Sequence, residues 1–564
     1  MNTISKNLFP NTSSPNSSSP RLLTPRLLIS LLTCLLVSLS TFAQVNSRFN
    51  NHSFRPFDRY AYNPDNRFHT AVKPFDMQEV EKFVSIDTLF TLKTGNKYID
   101  YVLNNDLIHF KTPSKDFGFS INPQFNFEIA RNNGDSIRNW INMRGIRIDG
   151  NITNKVYFST SFYEFQSLFT DYREDRIQEI GYRVVPGIGR SKRLKGGDGT
   201  YKDGVRDYAF SEAYISYIPS NYFKFQLGHG KHFIGDGYRS LLRSDNAPNY
   251  PYFQVTSNFW NIKYTSIWAQ QIYYNYPDKG SVSDFRRPIK WNVAQYIDYS
   301  VTKWFSIGLF TSVTWANTDT LGNYRGFEFN YLNPVIFLRP VEYSIGSPDN
   351  VLMGLNGKLT LWKKYVFYGQ AAINEFNLSE LKKRAGWYAS KHALQAGFKS
   401  FDVGIKGLDF QTEFNFVRPF MYSHYIPGQE YSHQHQPLAH PRHSNFYESV
   451  SFIRYNYKRF FVEYKFQYLV FGQDTSRNEN YGNDIFKLYP TRTMEYGNTP
   501  TEFAVQNTVV YNDASISYML NPKYNMRLTL GLNHRTQVSA IVDKNQLMWY
   551  FGFRTALHNF YYDF

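Results

Sequence analysis

The sequence predicts an all-β fold, a transmembrane barrel of the outer-membrane kind with about 16 to 20 antiparallel strands and a small, partly helical N-terminal periplasmic part. Three observations carry that expectation. Aromatic residues make up 18% of the chain, yet mean hydropathy is only −0.47. Apolar and polar residues alternate with period two in many runs from residue 117 onward, and the chain opens on an export leader. A helical membrane protein needs several segments of about 20 apolar residues, and its mean hydropathy would be positive. A disordered chain is poor in aromatic residues. An ordinary soluble domain carries its apolar weight in residues such as Leu and Ala, whereas here 45 Tyr and 50 Phe supply much of it.

The leader is residues 1–43. Lys6, Arg21 and Arg26 precede an apolar core from Leu27 to Leu39, and Thr41-Phe42-Ala43 places small residues at −3 and −1 of a cut expected after Ala43. The single cysteine, Cys34, lies in that core, so the exported protein is expected to have no thiol and no disulfide. Removing three cations from the net charge of +16 leaves +13. Such a surplus attracts lipopolysaccharide phosphates or an acidic polysaccharide, or is spread over barrel interior and loops.

Residues 44–110 read as a periplasmic N-terminal extension. Asn46 to Asp76 is polar and punctuated by proline, and two short helical patterns follow, Asp76 to Phe83 and Asn96 to Asn105. The barrel is expected over 111–564. Phe117, Phe119, Ile121, Phe125, Phe127 and Ile129 alternate with Gly118, Ser120, Asn122, Gln124, Asn126 and Glu128, which makes one face apolar and the other polar. Similar runs recur at Asn154 to Gln166, Asn221 to Gly228, Phe305 to Trp315, Val351 to Leu361, Phe460 to Phe471 and Met526 to Asn533, with turn signals such as Asp149-Gly150-Asn151 and Asn521-Pro522 between them. At roughly 25 residues per strand and connection, the chain from 117 to 564 holds about 16 to 20 strands. Phe560, Tyr562 and the final Phe564 alternate on one face, which resembles the aromatic closing strand of bacterial outer-membrane barrels.

Chemistry concentrates in three loops. Pro186 to Gly204 is basic and glycine-rich but lacks the Gly-Lys-Ser/Thr ending of a phosphate-binding loop, so it reads as a mobile basic loop. Leu227 to Val255 brings Lys231, Asp236, Arg239, Arg243 and Asp245 together among four glycines. Inside a barrel such charges pair across the lumen, or they present Arg forks to carboxylates or phosphates of a ligand. Tyr422 to Glu448 holds His433, His435 and His440 among its five histidines. A His-X-His pair on a strand would share one face, as a metal site requires, but Pro437 and Pro441 argue for a loop, and a polar lumen or a sugar-binding loop is the better reading. No metal or other cofactor is expected. No serine or histidine carries a local signature of nucleophilic catalysis, and nothing in the sequence calls for an enzyme.

An ordered set of motifs spans residues 228 to 441: Gly228-His229-Gly230-Lys231, Gly235-Asp236-Gly237-Tyr238-Arg239-Ser240-Leu241-Leu242 and Ser244-Asp245-Asn246; Glu328 to Val335; Tyr368-Gly369-Gln370 with Asn374-Glu375-Phe376; and Tyr431-Ser432-His433 with Gln436 to Pro441. Together they resemble the capsule-assembly Wzi family, and more closely its Bacteroidetes branch of gliding-motility RemB-like proteins. The resemblance implies an outer-membrane barrel of about 18 strands with a small helical periplasmic part, and a surface lectin role in which exported polysaccharide is retained without reaction. In place of the family's Trp-Gly-Pro-Gly type stretch stands Phe233-Ile234-Gly235-Asp236-Gly237, so a different ligand, and a motility or adhesion role, become credible.

The expected function is therefore a non-enzymatic outer-membrane barrel that binds or anchors surface or capsular polysaccharide, with Lys231, Asp236, Arg239, Arg243, Asp245, His433, His435 and His440 as candidate ligand contacts. The alternative is a substrate-specific channel, since barrels of this size can enclose an aqueous lumen. Expected partners are polysaccharide, outer-membrane lipid and lipopolysaccharide, and other surface or motility proteins, but not nucleic acid.

Overall fold

A computed structural model describes residues 45–564 apart from 86–88, 115, 134–138, 182, 196–200, 275–287, 320, 335–336, 376, 503–504 and 556–557. The leader with its cut and Cys34 lies outside the described residues, as do 196–200 of the basic loop and Val335 and Phe376 of the ordered motifs.

Eighteen antiparallel strands close into one barrel. In chain order they are β1 (Phe117–Asn132), β2 (Asn139–Ile152), β3 (Val156–Leu168), β4 (Tyr201–Ser220), β5 (Phe223–Gly230), β6 (Tyr250–Phe259), β7 (Ile262–Ile272), β8 (Ile289–Ser300), β9 (Phe305–Ala316), β10 (Asn350–Leu361), β11 (Tyr365–Glu375), β12 (Lys391–Ser400), β13 (Leu408–Val417), β14 (Phe446–Tyr457), β15 (Phe460–Gln473), β16 (Val505–Asn521), β17 (Met526–Val538) and β18 (Asp543–Arg554). Each pairs with its neighbour in sequence, and β18 returns to β1 in the register Met548 opposite Asn132 to Arg554 opposite Asn126. The period-two pattern sets this wall. Along β1 the polar set from Gly118 to Glu128 is buried inward, while Phe127 and Ile129 are exposed outward. Short turns such as 260–261 and 458–459 join strands at one end, and long loops such as 317–349 and 418–445 at the other. In barrels of this kind the turn end is periplasmic and the loop end extracellular. Trp260, Trp304 and Trp362 stand exposed at three successive turns of that end, where an aromatic girdle meets lipid headgroups. Asp149-Gly150-Asn151, expected as a turn, continues β2, and the chain reverses at 153–155 instead.

The 317–349 loop folds back over the outer wall. Tyr331 and Leu338 cover the outward side chains Val293, Val313 and Trp315, which are fully buried, and outward-facing Trp268 donates through Nε1 to the Tyr331 carbonyl at 3.0 Å.

The lumen is filled by the chain itself. Residues 45–85, expected as part of an extension, lie within the turn end of the barrel. Helix α1 (Asn51–Ala61) starts at Asn50, whose side chain accepts from His52 N. Pro56 within it leaves the His52 carbonyl without a helical donor, and Arg527 of β17 donates to that oxygen at 3.2 Å. Phe54, Phe57, Phe68, Phe75, Met77 and Val80 make a small core, while polar groups bind the wall: Arg59 to Asp402 at 2.8 Å, Lys263 to Glu79 at 2.8 Å and His69 to Asp298 at 3.1 Å. The two helical patterns appear as Met77–Val80 and, under the turn end, Lys97–Asn104, where Asn521 donates to the Val102 carbonyl.

The C-terminus departs from expectation. The closing strand ends at Arg554, its outward face formed by Leu547, Trp549 and Phe551. Residues 558–564 form no strand and lie in the lumen, with Phe564 buried against Tyr172 and its carbonyl accepting from Arg535 at 3.0 Å. An extended tail buried on both sides shows the same alternation as a wall strand, so the two share one sequence signature.

Candidate functional site

The β5–β6 loop, 231–249, enters the lumen and meets this tail. Gly235 holds φ +147°, a backbone state closed to most side chains, and a Cβ there would collide with the Gln370 amide. Gln370 of β11 donates to the Ile234 carbonyl at 3.0 Å and accepts from Leu241 N at 2.8 Å. Glu413 of β13 accepts from the successive amides of Tyr238 and Arg239 at 2.7 and 3.0 Å. Each backbone group so caught is removed from water without loss of its hydrogen bond.

The loop's charged side chains find partners inside. Arg239, 1% exposed, pairs with Glu448 and with Asp563 of the tail, each at 3.0 Å, and lies over the Tyr238 and Tyr561 rings. Asp245 accepts from Tyr561 Oη at 2.6 Å and Asn559 Nδ2 at 2.9 Å. Asp236 accepts from Tyr62 Oη at 3.0 Å and from Thr70, both of the N-terminal segment. Arg243 donates to Tyr250 Oη at 3.0 Å and Asn292 Oδ1 at 2.7 Å. Lys231 donates to the carbonyls of Gly187 and Asp245, and burial lowers its pKa to about 8. Tyr62 and Thr70 of the N-terminal segment, the tail and the inserted loop thus form one polar network, the cross-lumen pairing of the two alternatives.

The histidines of the β13–β14 loop are separated. Ser432–His433 and Gln436–Pro437 form a tight hairpin whose tip is Gln434 and His435, both with positive φ, as a two-residue type I′ turn requires. His433 and His435 therefore do not share a strand face. His435 stacks on Phe486 with centroids 3.6 Å apart. His440 Nε2 donates to Glu448 at 2.8 Å, while Nδ1 accepts from Arg442 N. Among the described residues no cluster of His, Cys, Asp and Glu could hold a metal ion.

His433 accepts from Ile272 N at Nδ1 and donates from Nε2 to the Asn249 carbonyl at 3.2 Å, the pattern of a neutral ring. Burial pushes its pKa down to about 3. Below pH 6.5 the unfolded chain therefore binds a proton that the folded chain refuses, so stability is lost as pH falls from 6.5 toward 3. Between pH 6.5 and 5 the expected loss is about 2 kcal/mol from this residue. Urea unfolding in detergent micelles at the two pH values checks it, and His433→Asn should flatten the dependence by that amount.

At the loop end three separate loops bring together a second constellation. Trp387 and Tyr388 come from 376–390, Tyr425 from 418–445, and Tyr489 and Arg492 from 474–504. Ring centroids lie 5.4 to 5.8 Å apart along the chain Trp387, Tyr388, Tyr489, Tyr425. Arg492 covers the Tyr388 ring at 3.9 Å and Lys391 the Tyr489 ring at 3.7 Å, and Glu495 accepts from Trp387 Nε1 at 3.2 Å. Unlike the lumen network, the four rings and Arg492 are half-buried to exposed, with Tyr425 40% accessible, while Lys391 is buried and paired with Glu375 at 3.2 Å. No short motif marks it, because its members are scattered over about a hundred residues. The only sequence signal was aromatic residues beside cations within loops.

A closed 18-stranded antiparallel barrel with an apolar outer face and a lumen packed with segments of its own chain is a fold of the outer-membrane class. Among solved structures the chain is similar to Wzi of Escherichia coli, described as an outer-membrane protein involved in group 1 capsule assembly and a carbohydrate-binding β-barrel, at TM-score 0.52 and 12% identity over 91% of this chain and 100% of that one. It also aligns with OprD of Pseudomonas aeruginosa (TM-score 0.41, 10% identity, 77% of this chain and 94% of that one) and with OccK8 of the same organism (0.40, 9%, 77% and 97%), likenesses too distant to carry an argument. No family model and no curated protein matches the chain. At 12% identity the likeness to Wzi shows the fold alone.

Proposed function

We propose that this protein is a non-enzymatic outer-membrane barrel that retains surface polysaccharide at its extracellular rim. The observation that carries the reading is the Trp387, Tyr388, Tyr425 and Tyr489 group, capped by Arg492 and Lys391. The accessible ring surface, Tyr425 above all, stacks on sugar rings, and Arg492, the accessible cation beside it, meets uronic acids or phosphates, while buried Lys391 holds the Tyr489 ring in place. In this reading Lys231, Asp236, Arg239, Arg243, Asp245, His433, His435 and His440 act on the ligand by holding the loops that form the rim. Purified protein should bind the capsule or slime polysaccharide of its own cell, and Trp387→Ala with Tyr489→Ala should weaken that binding about tenfold or more, in line with truncated aromatic anchors elsewhere, as read by glycan-array or calorimetric titration. Unchanged binding by the double variant would remove the rim from the proposal, and absence of binding by the unaltered protein would remove the function.

The channel reading draws on the strand number, since 18 strands enclose a wide interior. The inserted loop, the N-terminal segment and the tail occupy much of that space; beside the tail a cavity of about 220 Å³ is left.

A further inference from the structure

The 317–349 loop holds a position that glycan retention at the rim does not require. It lies on the outer wall and is fastened there by the wall's own outward donors. Trp268 of β7 donates to the Tyr331 carbonyl at 3.0 Å, Gln295 of β8 to the Asn333 carbonyl at 2.7 Å, and Trp315 of β9 to the Gly326 carbonyl at 3.1 Å. Trp291 of β8 adds a bond to Asn317 Oδ1 at 3.0 Å. On the loop side, Tyr331 N and Asn333 N donate to the carbonyls of Glu328 and Asn330. An amide such as Gln295 on the lipid side of a barrel strand is costly without a partner of this kind.

The height of these contacts sets the loop against lipid. Trp268 lies eight residues along β7 from Trp260 at the turn end, and Gln295 lies six residues along β8 from Val301 of the next turn. With a rise of about 3.4 Å per residue and a tilt of about 40°, they stand about 21 and 16 Å above that end. The apolar band of such a barrel is about 25 Å tall, so the Tyr331 and Asn333 carbonyls, with Leu332 between them, lie about 4 to 9 Å inside its outer edge. Irregular backbone is admitted at that depth only with its polar groups paired, and the bonds above meet this condition for both residues. Where the loop is deepest its uncovered side chains are apolar: Phe329 is 74%, Leu332 45% and Phe337 53% exposed. Residues 329–338 carry no charge, and the exposed Asn330 turns its amide onto Glu328 at 2.6 Å. Nearer the turn end, Ile307 of β9 and Leu355 of β10 continue the same exposed apolar surface.

We propose that this loop is a membrane anchor: Phe329, Leu332 and Phe337 enter the outer leaflet and meet the acyl chains that the loop displaces from Val293, Val313 and Trp315. The inference rests on the barrel's lying in a membrane and not on glycan binding at the rim, whose rings come from other loops. Beyond Cys34 the chain contains no cysteine, so single-cysteine variants can carry a fluorescent label. Leu332→Cys and Phe329→Cys are reconstituted into phosphatidylcholine vesicles, with Leu355→Cys on the wall and Ile541→Cys in the β17–β18 connection as references. Each is quenched by lipid spin-labelled in its acyl chain and, separately, by aqueous iodide. Leu332→Cys and Phe329→Cys should follow Leu355→Cys, with a ratio of lipid to iodide quenching at least about fivefold above that of Ile541→Cys. Heat-modifiable gel migration reports folding, and Phe337→Cys replaces a variant that does not fold. Quenching by iodide as strong as in Ile541→Cys would overturn the proposal by placing the loop in water, and shielding from both quenchers would overturn it by placing a second copy of the chain over the loop. Escape of Leu355→Cys from the lipid quencher would remove the membrane placement of the barrel, and the anchor with it.

Discussion

Replacing Arg239 by Met should cost about 3 to 5 kcal/mol of stability, the usual penalty when one member of a buried ion cluster is removed and its partners are left unpaired. Glu448 and Asp563, both fully buried, would lose the guanidinium that each meets at 3.0 Å. Glu448 would keep His440, Asn415 and Gln467, and Asp563 would keep Lys465 and Tyr238, so the value should fall toward the lower end. Urea unfolding of the micelle-bound protein, followed by heat-modifiable migration, measures it. Arg239→Met with Asp563→Asn should recover part of the loss, because the neutral amide no longer needs a cation. A single variant as stable as the parent would mean that the cluster contributes nothing to the fold.

A chain ending at Arg554 should still form the barrel, since all 18 strands precede that point, but should conduct ions where the full chain does not. Removing 555–564 deletes the groups that bind Asp245, Arg239 and Arg535 across the lumen, and water then enters the space beside β14 to β18. Planar-bilayer recordings decide the matter: open steps in the shortened chain alone show that the tail seals the lumen. Steps in both chains would favour the channel reading, and steps in neither would assign the seal to the N-terminal segment and the loops.

The wall was legible because each strand separates lipid from lumen, and that contrast writes itself as period two. Phe127 and Ile129 announce an outward face as plainly as Asn122 and Glu128 announce an inward one. What fills the lumen was not legible, since an inward Asn or Gln has the same sequence signature whether it faces water or another part of the chain. Asn292, Gln370 and Glu413 turn out to bind the inserted loop. Helix α1 was hidden by Pro56, whose cost is offset by Arg527, a residue more than 450 positions away. The five charges of the 231–249 loop were visible as a group, but their partners lay in the N-terminal segment, the tail, a neighbouring loop and the barrel wall, where no local pattern led. The rim aromatics depend on three loops converging, which only the closed barrel brings about.

The buried tail also bears on how this protein is handled. Residues fused after Phe564 would have to leave from among Tyr172, Arg176 and Arg535 inside the lumen, so a C-terminal affinity tag or fluorescent partner is an internal insertion in all but name. The first of the described residues are similarly placed, with Asn46 bonded to Tyr214 and Gln226 on the inner wall. A label meant to report on the cell surface without disturbing the molecule belongs in the short exposed connection between β17 and β18, at 539–542.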